Sequence, residues 1–231
     1  MTKPLIFCWS GGKDSALALH ALRQGDEFEV AGLLTTITAG HDRVSMHGVR
    51  RELLHAQAAA LELPLHEVML TPSAGNAEYE REMGTALERF RAAGIGHIGF
   101  GDIFLEDLRQ YRERNLARVA MQAVFPVWGR DTDELVTSFY TLGFRALTVV
   151  VDPRVLPQSF VGREIDAGFV RELPAGVDPC GENGEYHSFV YDGPIFARPV
   201  PVQRGAVVPR EGFVFCDLLP QASPAPLPAA V

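Results

Sequence analysis

Leu5-Ile6-Phe7-Cys8-Trp9-Ser10-Gly11-Gly12-Lys13-Asp14-Ser15-Ala16-Leu17 is the stretch on which the fold turns. Residues 5–9 are apolar throughout and read as a buried strand, and 14–23 read as a helix. Between them two glycines let the backbone turn sharply and approach a ligand closely. The N–H groups that open a helix have no partner within it, and the helix end carries about half a positive charge, so the expected ligand is an anion. Ser10 and Ser15 offer hydroxyl hydrogen bonds to phosphate oxygens, and Lys13 adds a full positive charge. Asp14 suits such a site only if it holds Mg²⁺, which also neutralises a polyphosphate. The stretch is not a Walker A loop, which needs Gly-x-x-x-x-Gly-Lys-Ser/Thr. The plainer alternative is a Gly-rich turn in which Asp14 or Ser10 caps the helix.

Outward from this loop the chain keeps alternating. Strands are expected at 28–36, 65–70, 95–100, 124–128 and 144–151, with helices at 49–63, 77–93, 105–121 and 131–142 between them. Near-continuous apolar strands alternating with helices predict an α/β fold, a doubly wound, mostly parallel sheet covered on both faces. Ligands of such sheets bind beyond the carboxyl ends of the strands, where the glycine loop falls. After Val151 the rhythm changes: Pro153, Pro157, Pro174 and Pro179 punctuate the chain, leaving one expected helix, at 162–173. From His187 onward, apolar pieces broken by Gly and Pro suggest small antiparallel strands. The expected organisation is a nucleotide-type domain over 1–128, a smaller α+β substrate lobe over 129–219, and a loose Pro/Ala-rich tail over 220–231.

Composition narrows the classes. The 231 residues carry 21 Lys+Arg against 29 Asp+Glu, a net charge of −8, which argues against general nucleic-acid binding. No apolar run approaches the ~20 residues that span a bilayer, and 1–9 lack the features of a signal peptide. Cys8, Cys180 and Cys216 form no CxxC pair, which fits a reducing cytoplasm and predicts no structural zinc. A homodimer is compatible with these features and not specified by them.

Three further clusters fall near the ends of expected strands. Ser45-Met46-His47-Gly48-Val49 follows the second strand and Gly99-Phe100-Gly101-Asp102-Ile103 the fourth. The next helix carries Arg109, Arg112 and Asn115, the last two sharing a face. Cys180-Gly181-Glu182-Asn183-Gly184-Glu185-Tyr186-His187 packs acids, a thiol, a phenol and an imidazole around two glycines. Plainer readings stand beside each. Asp102 could cap the following helix, Arg109 and Arg112 could pair with Glu106 and Glu113 on a solvated face, and His47 could be structural. Cys180 reads better as a small buried hydrophobe than as a nucleophile. Cys8 belongs to the core, and Phe125 and Trp128 to packing rather than to adenine stacking.

The loop Ser10 to Ser15 resembles the PP-loop of N-type ATP pyrophosphatases. Together with Gly101-Asp102-Ile103, Trp128-Gly129-Arg130-Asp131 and Gly181-Glu182-Asn183-Gly184-Glu185-Tyr186, it resembles the diphthine–ammonia ligase family over roughly 4–196. The resemblance implies an adenine nucleotide alpha hydrolase-like (HUP, Rossmann-like) fold, with ATP and Mg²⁺ as cofactors. It implies ATP cleaved to AMP and pyrophosphate, adenylation of a carboxylate, and displacement of AMP by ammonia, with free ammonium as nitrogen donor. Carried onto this chain, Ser10, Gly11, Gly12, Lys13, Asp14 and Ser15 hold the nucleotide, with Asp14 on the metal. Lys13, Asp14 and Asp102 are then catalytic, while Arg112, Asn115, Glu182, Glu185, Tyr186 and His187 line the acceptor pocket. Family members adenylate diphthine on elongation factor 2 and carry Glu-Gly-Gly-Glu-Tyr-Glu-Thr. Here Asn183 replaces Gly and His187 replaces Glu. Those departures favour a small carboxylic acid over a modified protein side chain as acceptor. The rival readings are a tRNA-thiolating PP-loop enzyme, disfavoured by the absence of a cysteine pair and a basic surface, and a non-catalytic adenine-nucleotide sensor.

Overall fold

The structure is a computed structural model describing residues 2–40, 43–44, 48–72 and 74–221. Five parallel strands, β1 (Lys3–Cys8), β2 (Phe28–Thr38), β4 (Leu65–Leu70), β5 (His97–Gly99) and β6 (Gln122–Val124), lie in the order β4-β2-β1-β5-β6. The short β3 (Arg43–Val44) adds antiparallel to the end of β2. Crossover helices α1 (Lys13–Gln24), α2 (Arg51–Leu61), α3 (Asn76–Ala92) and α4 (Glu106–Arg118) connect the parallel strands. The doubly wound α/β arrangement is therefore as the alternation of apolar runs predicts.

The alternation within β1 assigns the two layers. Leu5, Phe7 and Trp9 point to one face and pack with Ala16, Leu19 and Leu22 of α1 and Leu53, Leu54 and Leu61 of α2. Ile6 points to the other, with Leu87 and Phe90 of α3 and Leu116 of α4. Because a strand's side chains alternate and both faces are covered, the whole strand must be apolar.

Chain order in the sheet runs outward in one direction from β1 to β4 and in the other from β5 to β6. The reversal sits between β1 and β5, which pair through Leu5↔His97, Ile6↔Ile98 and Phe7↔Gly99. At such a switch point the connections leave in opposite directions and open a crevice beyond the strand ends. The loop after β1 and the Gly101-Asp102-Ile103 segment after β5 flank that crevice.

A second, antiparallel sheet has the order β8-β7-β10-β9, built from β7 (Arg145–Val151), β8 (Tyr186–Asp192), β9 (Val202–Arg210) and β10 (Phe213–Pro220). Here the structure departs from the sequence reading, which continues the parallel sheet through 144–151. The strand β7 is buried along nearly its whole length and pairs antiparallel with β8 and β10. A strand covered on both faces has the same apolar pattern whichever way its neighbours run, so the pattern could not tell the two apart. The expected helix at 162–173 is reduced to α6 (Ala167–Arg171), capped by Asp166, whose carboxylate accepts the Phe169 N–H at 2.8 Å. A single 3₁₀ turn, Gln158–Phe160, precedes it. The helix α5 (Thr132–Thr141) is capped by Asp131, which accepts the Glu134 N–H at 2.9 Å. Pro220 ends β10 rather than opening a tail, and 222–231 lie outside the described residues.

The two sheets share one apolar core. Phe139 of α5, Val149 of β7, Phe189 of β8 and Leu218 of β10 belong to the same cluster as Leu5, Phe7 and α1. The strand β8 runs beside the glycine loop: the Val190 N–H donates to the Gly11 carbonyl at 2.9 Å. The second sheet thus closes one side of the crevice. Among the described residues no helix is long and apolar enough to cross a membrane.

Candidate active site

The crevice opens into a cavity of about 860 Å³, toward the upper end of the ~300–1,000 Å³ usual for ligand sites. Its floor is the loop after β1, with Ser10, Gly12, Lys13, Asp14 and Ser15 in the lining. Gly12 is the N-cap of α1 and makes no side-chain cap hydrogen bond. The helix therefore starts at a residue with no side chain to fill the space in front of it, as an anion site requires. The capping alternative for Asp14 does not hold. Ser10 and Ser15 hydroxyls lie 3.0 Å apart, and Ser10 Oγ accepts the Gly12 N–H at 3.2 Å.

Gly101 is forced to be glycine by this geometry. A Cβ there would lie 2.9 Å from the Ser15 amide nitrogen and 3.0 Å from the Asp14 carbonyl carbon. That contact brings the loop after β5 hard against the first turn of α1 and brings Asp102 to the same cavity as Asp14. Asp102 does not cap α4, whose N-cap is Leu105. Its carboxylate instead accepts from Arg112 Nε at 2.6 Å and Nη2 at 3.0 Å, and Arg112 stacks on Phe100 at 4.4 Å. Arg112 thus pairs with Asp102 and not with Glu106 or Glu113. Arg109 does take the expected solvated pair with Glu113, at 2.9 Å. Asn115 falls elsewhere: it lines a smaller hollow of about 150 Å³ between α3 and α4, outside the main cavity.

Lys13 is turned differently from the expectation of a free phosphate ligand. Its side chain is 2% exposed and its ammonium donates to both carboxylate oxygens of Asp14 at 2.8 Å, to the Cys180 carbonyl, and lies 5.0 Å from the Tyr186 ring centre. Burial opposes that charge, but Asp14 and the electron-rich Tyr186 and Cys180 outweigh it and hold the amine's pKa above its ordinary value. The Lys13 backbone N–H donates to Ser188 Oγ at 3.1 Å. Lys13 therefore ties the glycine loop to the second sheet through both its backbone and its side chain.

The segment 178–188 forms the opposite wall. Glu182 lines the cavity and accepts the Ile103 N–H at 2.8 Å. Burial, with Asp14 and Asp102 nearby, pushes its carboxyl up to about 7. Tyr186 and His187 also line the cavity, and burial together with the charge of Lys13 pushes the His187 imidazole down to about 4. Glu185 and Asn183 do not reach the lining. Glu185 is buried within the loop, accepting the Asp178 N–H at 3.0 Å and Asn183 Nδ2 at 3.1 Å. Of the two departures from the family pattern, only His187 thus touches the cavity. Cys180 is 1% exposed, its Sγ–H donates to the Thr132 carbonyl at 3.4 Å, and burial raises its pKa. That is the buried-hydrophobe reading, not a nucleophile. His47 lies outside the described residues.

Sequence reasoning missed the outer wall. The β9–β10 hairpin turns through Glu211 (φ 53°) and Gly212 (φ 83°), the positive φ pair of a type I′ turn. It delivers Arg210, Phe213 and Phe215 to the cavity. Asp217 on the same hairpin accepts from Arg50 at 2.7 Å and Arg43 at 3.0 Å, fixing β10 against the segment that precedes α2. Asn76 and Tyr79 complete the lining from the start of α3. No local motif marks these residues; ordinary strand and helix patterns carry them.

Among the described residues no group of three or more His, Cys, Asp or Glu is placed to hold a metal. Asp14, side chain 27% exposed at the cavity floor and paired with Lys13, would offer such an ion a single carboxylate. That fits an ion bound mainly by phosphates and water, as Mg²⁺ usually is in nucleotide sites.

Comparison with known proteins bears on the whole of this arrangement. The model of the diphthamide synthase N-terminal domain matches residues 3–123, and that of the diphthamide synthase C-terminal domain matches 131–217. The diphthine–ammonia ligase of Danio rerio is 26% identical over 212 residues, covering 83% of each chain. That of Rattus norvegicus is 25% identical over 239 aligned positions, 90% of this chain and 86% of the relative. The bovine enzyme is 28% identical over 120 residues, and that match spans 49% of this chain and 45% of the relative. With the glycine loop and its β5 neighbour inside one matched region and the 178–188 wall inside the other, this chain belongs to the diphthamide synthase family.

Proposed function

We propose that the chain is an ATP-dependent carboxylate–ammonia ligase that forms AMP. The observation that carries the reading is the meeting, in one cavity of about 860 Å³, of a helix N-terminus whose N-cap is a glycine, three carboxylates (Asp14, Asp102, Glu182) and a wall from the second sheet. The relatives bear the name diphthine–ammonia ligase, which supplies the reaction class.

A carboxylate resists ammonia because its leaving group would be oxide. In the proposed reaction a carboxylate oxygen attacks the α-phosphorus of ATP, the bond to the β-phosphate breaks, and pyrophosphate leaves with the electron pair. Ammonia then adds to the acyl carbon, loses a proton, and AMP departs. The first-turn amides of α1 and the hydroxyls of Ser10 and Ser15 bind the β and γ phosphates, where the helix end favours negative charge. Lys13 joins them by releasing the Cys180 carbonyl. Asp14 would hold a Mg²⁺ ion, which would supply charge neutralisation for the departing pyrophosphate. Asp102, oriented by its two bonds to Arg112, attracts ammonium, and the Glu182 carboxylate takes the proton whose loss frees ammonia for attack. Tyr186 and His187 border the acceptor. A neutral His187 where the family carries a glutamate favours a small, compact carboxylic acid over diphthine.

The test uses α-labelled ATP, Mg²⁺ and ammonium with either diphthine-bearing elongation factor 2 or a desalted pool of small cellular acids. AMP and pyrophosphate that depend on both acceptor and ammonium are expected, and are lost in Lys13→Met. Release of ADP and phosphate overturns the reading.

A further inference from the structure

Gln57, in the middle of α2, is 0% exposed, an unusual place for a primary amide. Its Oε1 accepts from Trp9 Nε1 at 2.9 Å. Its Nε2 donates to the Gly11 carbonyl at 3.0 Å and to the Val190 carbonyl at 2.6 Å. An indole N–H can only donate, and a backbone carbonyl can only accept, so the orientation of the amide is determined by its three partners. Those partners are the last residue before the glycine loop, the sharpest residue of that loop, and the β8 strand of the second sheet.

Gly11 sits at φ +82°, and a Cβ built on it would fall 2.7 Å from Gln57 Oε1. The Gly11 carbonyl also accepts the Val190 N–H at 2.9 Å, so one backbone oxygen takes one bond from α2 and one from the second sheet. Rotation of the 11–12 peptide would break both bonds. That peptide carries the Gly12 N–H, which donates to Ser10 Oγ at 3.2 Å, and leads into the start of α1 at the cavity floor, while β8 carries His187 and Ser188 into the same cavity. Gln57 itself does not contact the space where a ligand would lie: it is absent from the cavity lining, to which its partner Trp9 belongs.

We propose that Gln57 is a positioning residue that sets the shape of the phosphate-binding loop and locks it to the second sheet. The proposal rests on the reading above that this loop takes the β and γ phosphates of ATP. A side chain that shapes only the phosphate end discriminates between ligands that use that end and ligands that do not. A general loss of structure does not discriminate.

The experiment compares binding of a non-hydrolysable ATP analogue and of AMP by calorimetry, in wild type and in Gln57→Met. This substitution keeps length and apolar volume but makes none of the three bonds. A weakening of the ATP analogue by about tenfold or more is expected, with AMP affinity changed by less than about threefold. Equal weakening of both ligands, or no weakening of either, overturns the proposal. Should Gln57→Met fail to fold, Trp9→Phe decides. It removes the bond that orients the amide together with part of the buried indole's volume at a residue that also lines the cavity, and is expected to give the same selective loss at smaller size; an unchanged ratio of ATP to AMP affinity overturns the proposal. If wild type itself binds no ATP analogue, the failure lies with the reading of the loop. Wild-type binding with an unmoved ratio in the variant places it with Gln57.

Discussion

Replacing His187 with glutamine gives a direct measure of how closed the cavity wall is. An exposed histidine titrates near 6.5, whereas burial and the neighbouring charge of Lys13 push His187 down to about 4. Between those two pH values the unfolded chain binds a proton that the folded chain refuses. The stability contributed by the neutral imidazole is therefore complete above about pH 6.5 and is lost as pH falls toward 4. At about 1.4 kcal/mol per pH unit, the window is worth about 3 kcal/mol, a large share of the ~5–15 kcal/mol that holds a domain together. Glu182 acts in the opposite sense. Pushed up to about 7, its contribution is complete below about pH 4.5 and is lost as pH rises through 7. In wild type the two slopes largely cancel between pH 5 and 6.5, so only a comparison of variants separates them. The assay is urea unfolding followed by tryptophan fluorescence, at half-unit steps from pH 4.5 to 8, for wild type and His187→Gln. The difference in unfolding free energy is expected to be constant above pH 7 and to move about 2–3 kcal/mol in favour of the variant by pH 4.5. A difference that stays flat across the range refutes the reasoning, because it means the folded imidazole accepts its proton as readily as the unfolded one.

Arg112→Met leaves the Asp102 carboxylate, 11% exposed, facing Asp14 and Glu182 without its partner, and is expected to cost about 3–5 kcal/mol. Arg112→Met with Asp102→Asn is expected to recover most of that cost, and additive effects in a double-mutant cycle would contradict a buried pair. Glu182→Gln removes the group that loses stability as pH rises, so its unfolding free energy relative to wild type is expected to increase from pH 5 to 8; the same urea series checks it. Cys180, 1% exposed and with its pKa raised by burial, is expected to resist iodoacetamide in the folded protein for hours at pH 7.5. Cys180→Ser is expected to keep AMP formation. Rapid alkylation or loss of turnover would revive a thiol-based mechanism.

The segment from Leu5 to Leu17 was legible in sequence because everything that shapes it is local. Apolar alternation buries β1, glycines permit the turn, and the helix begins at the first residues able to sustain it. The same holds for β2, β4, α2 and α3, whose patterns repeat within a few residues, whereas the placing of Asp102 beside Asp14 depends on the order of strands at the switch point, which only the folded sheet sets. Charge, cysteine spacing and the absence of long apolar runs were likewise properties of the chain alone. Tertiary structure decided the rest. It turned β7 out of the parallel sheet, reduced the helix before Pro174, moved Asn115 and Glu185 away from the cavity, and brought Arg210, Phe213 and Phe215 to it. It also gave Lys13 a partner 175 residues away in Ser188, and Gln57 one 133 residues away in Val190. A strand buried on both faces has no pattern that names its neighbours, and a polar side chain in a helix has none that names a distant carbonyl. Those choices are made only when the two sheets pack on their common core.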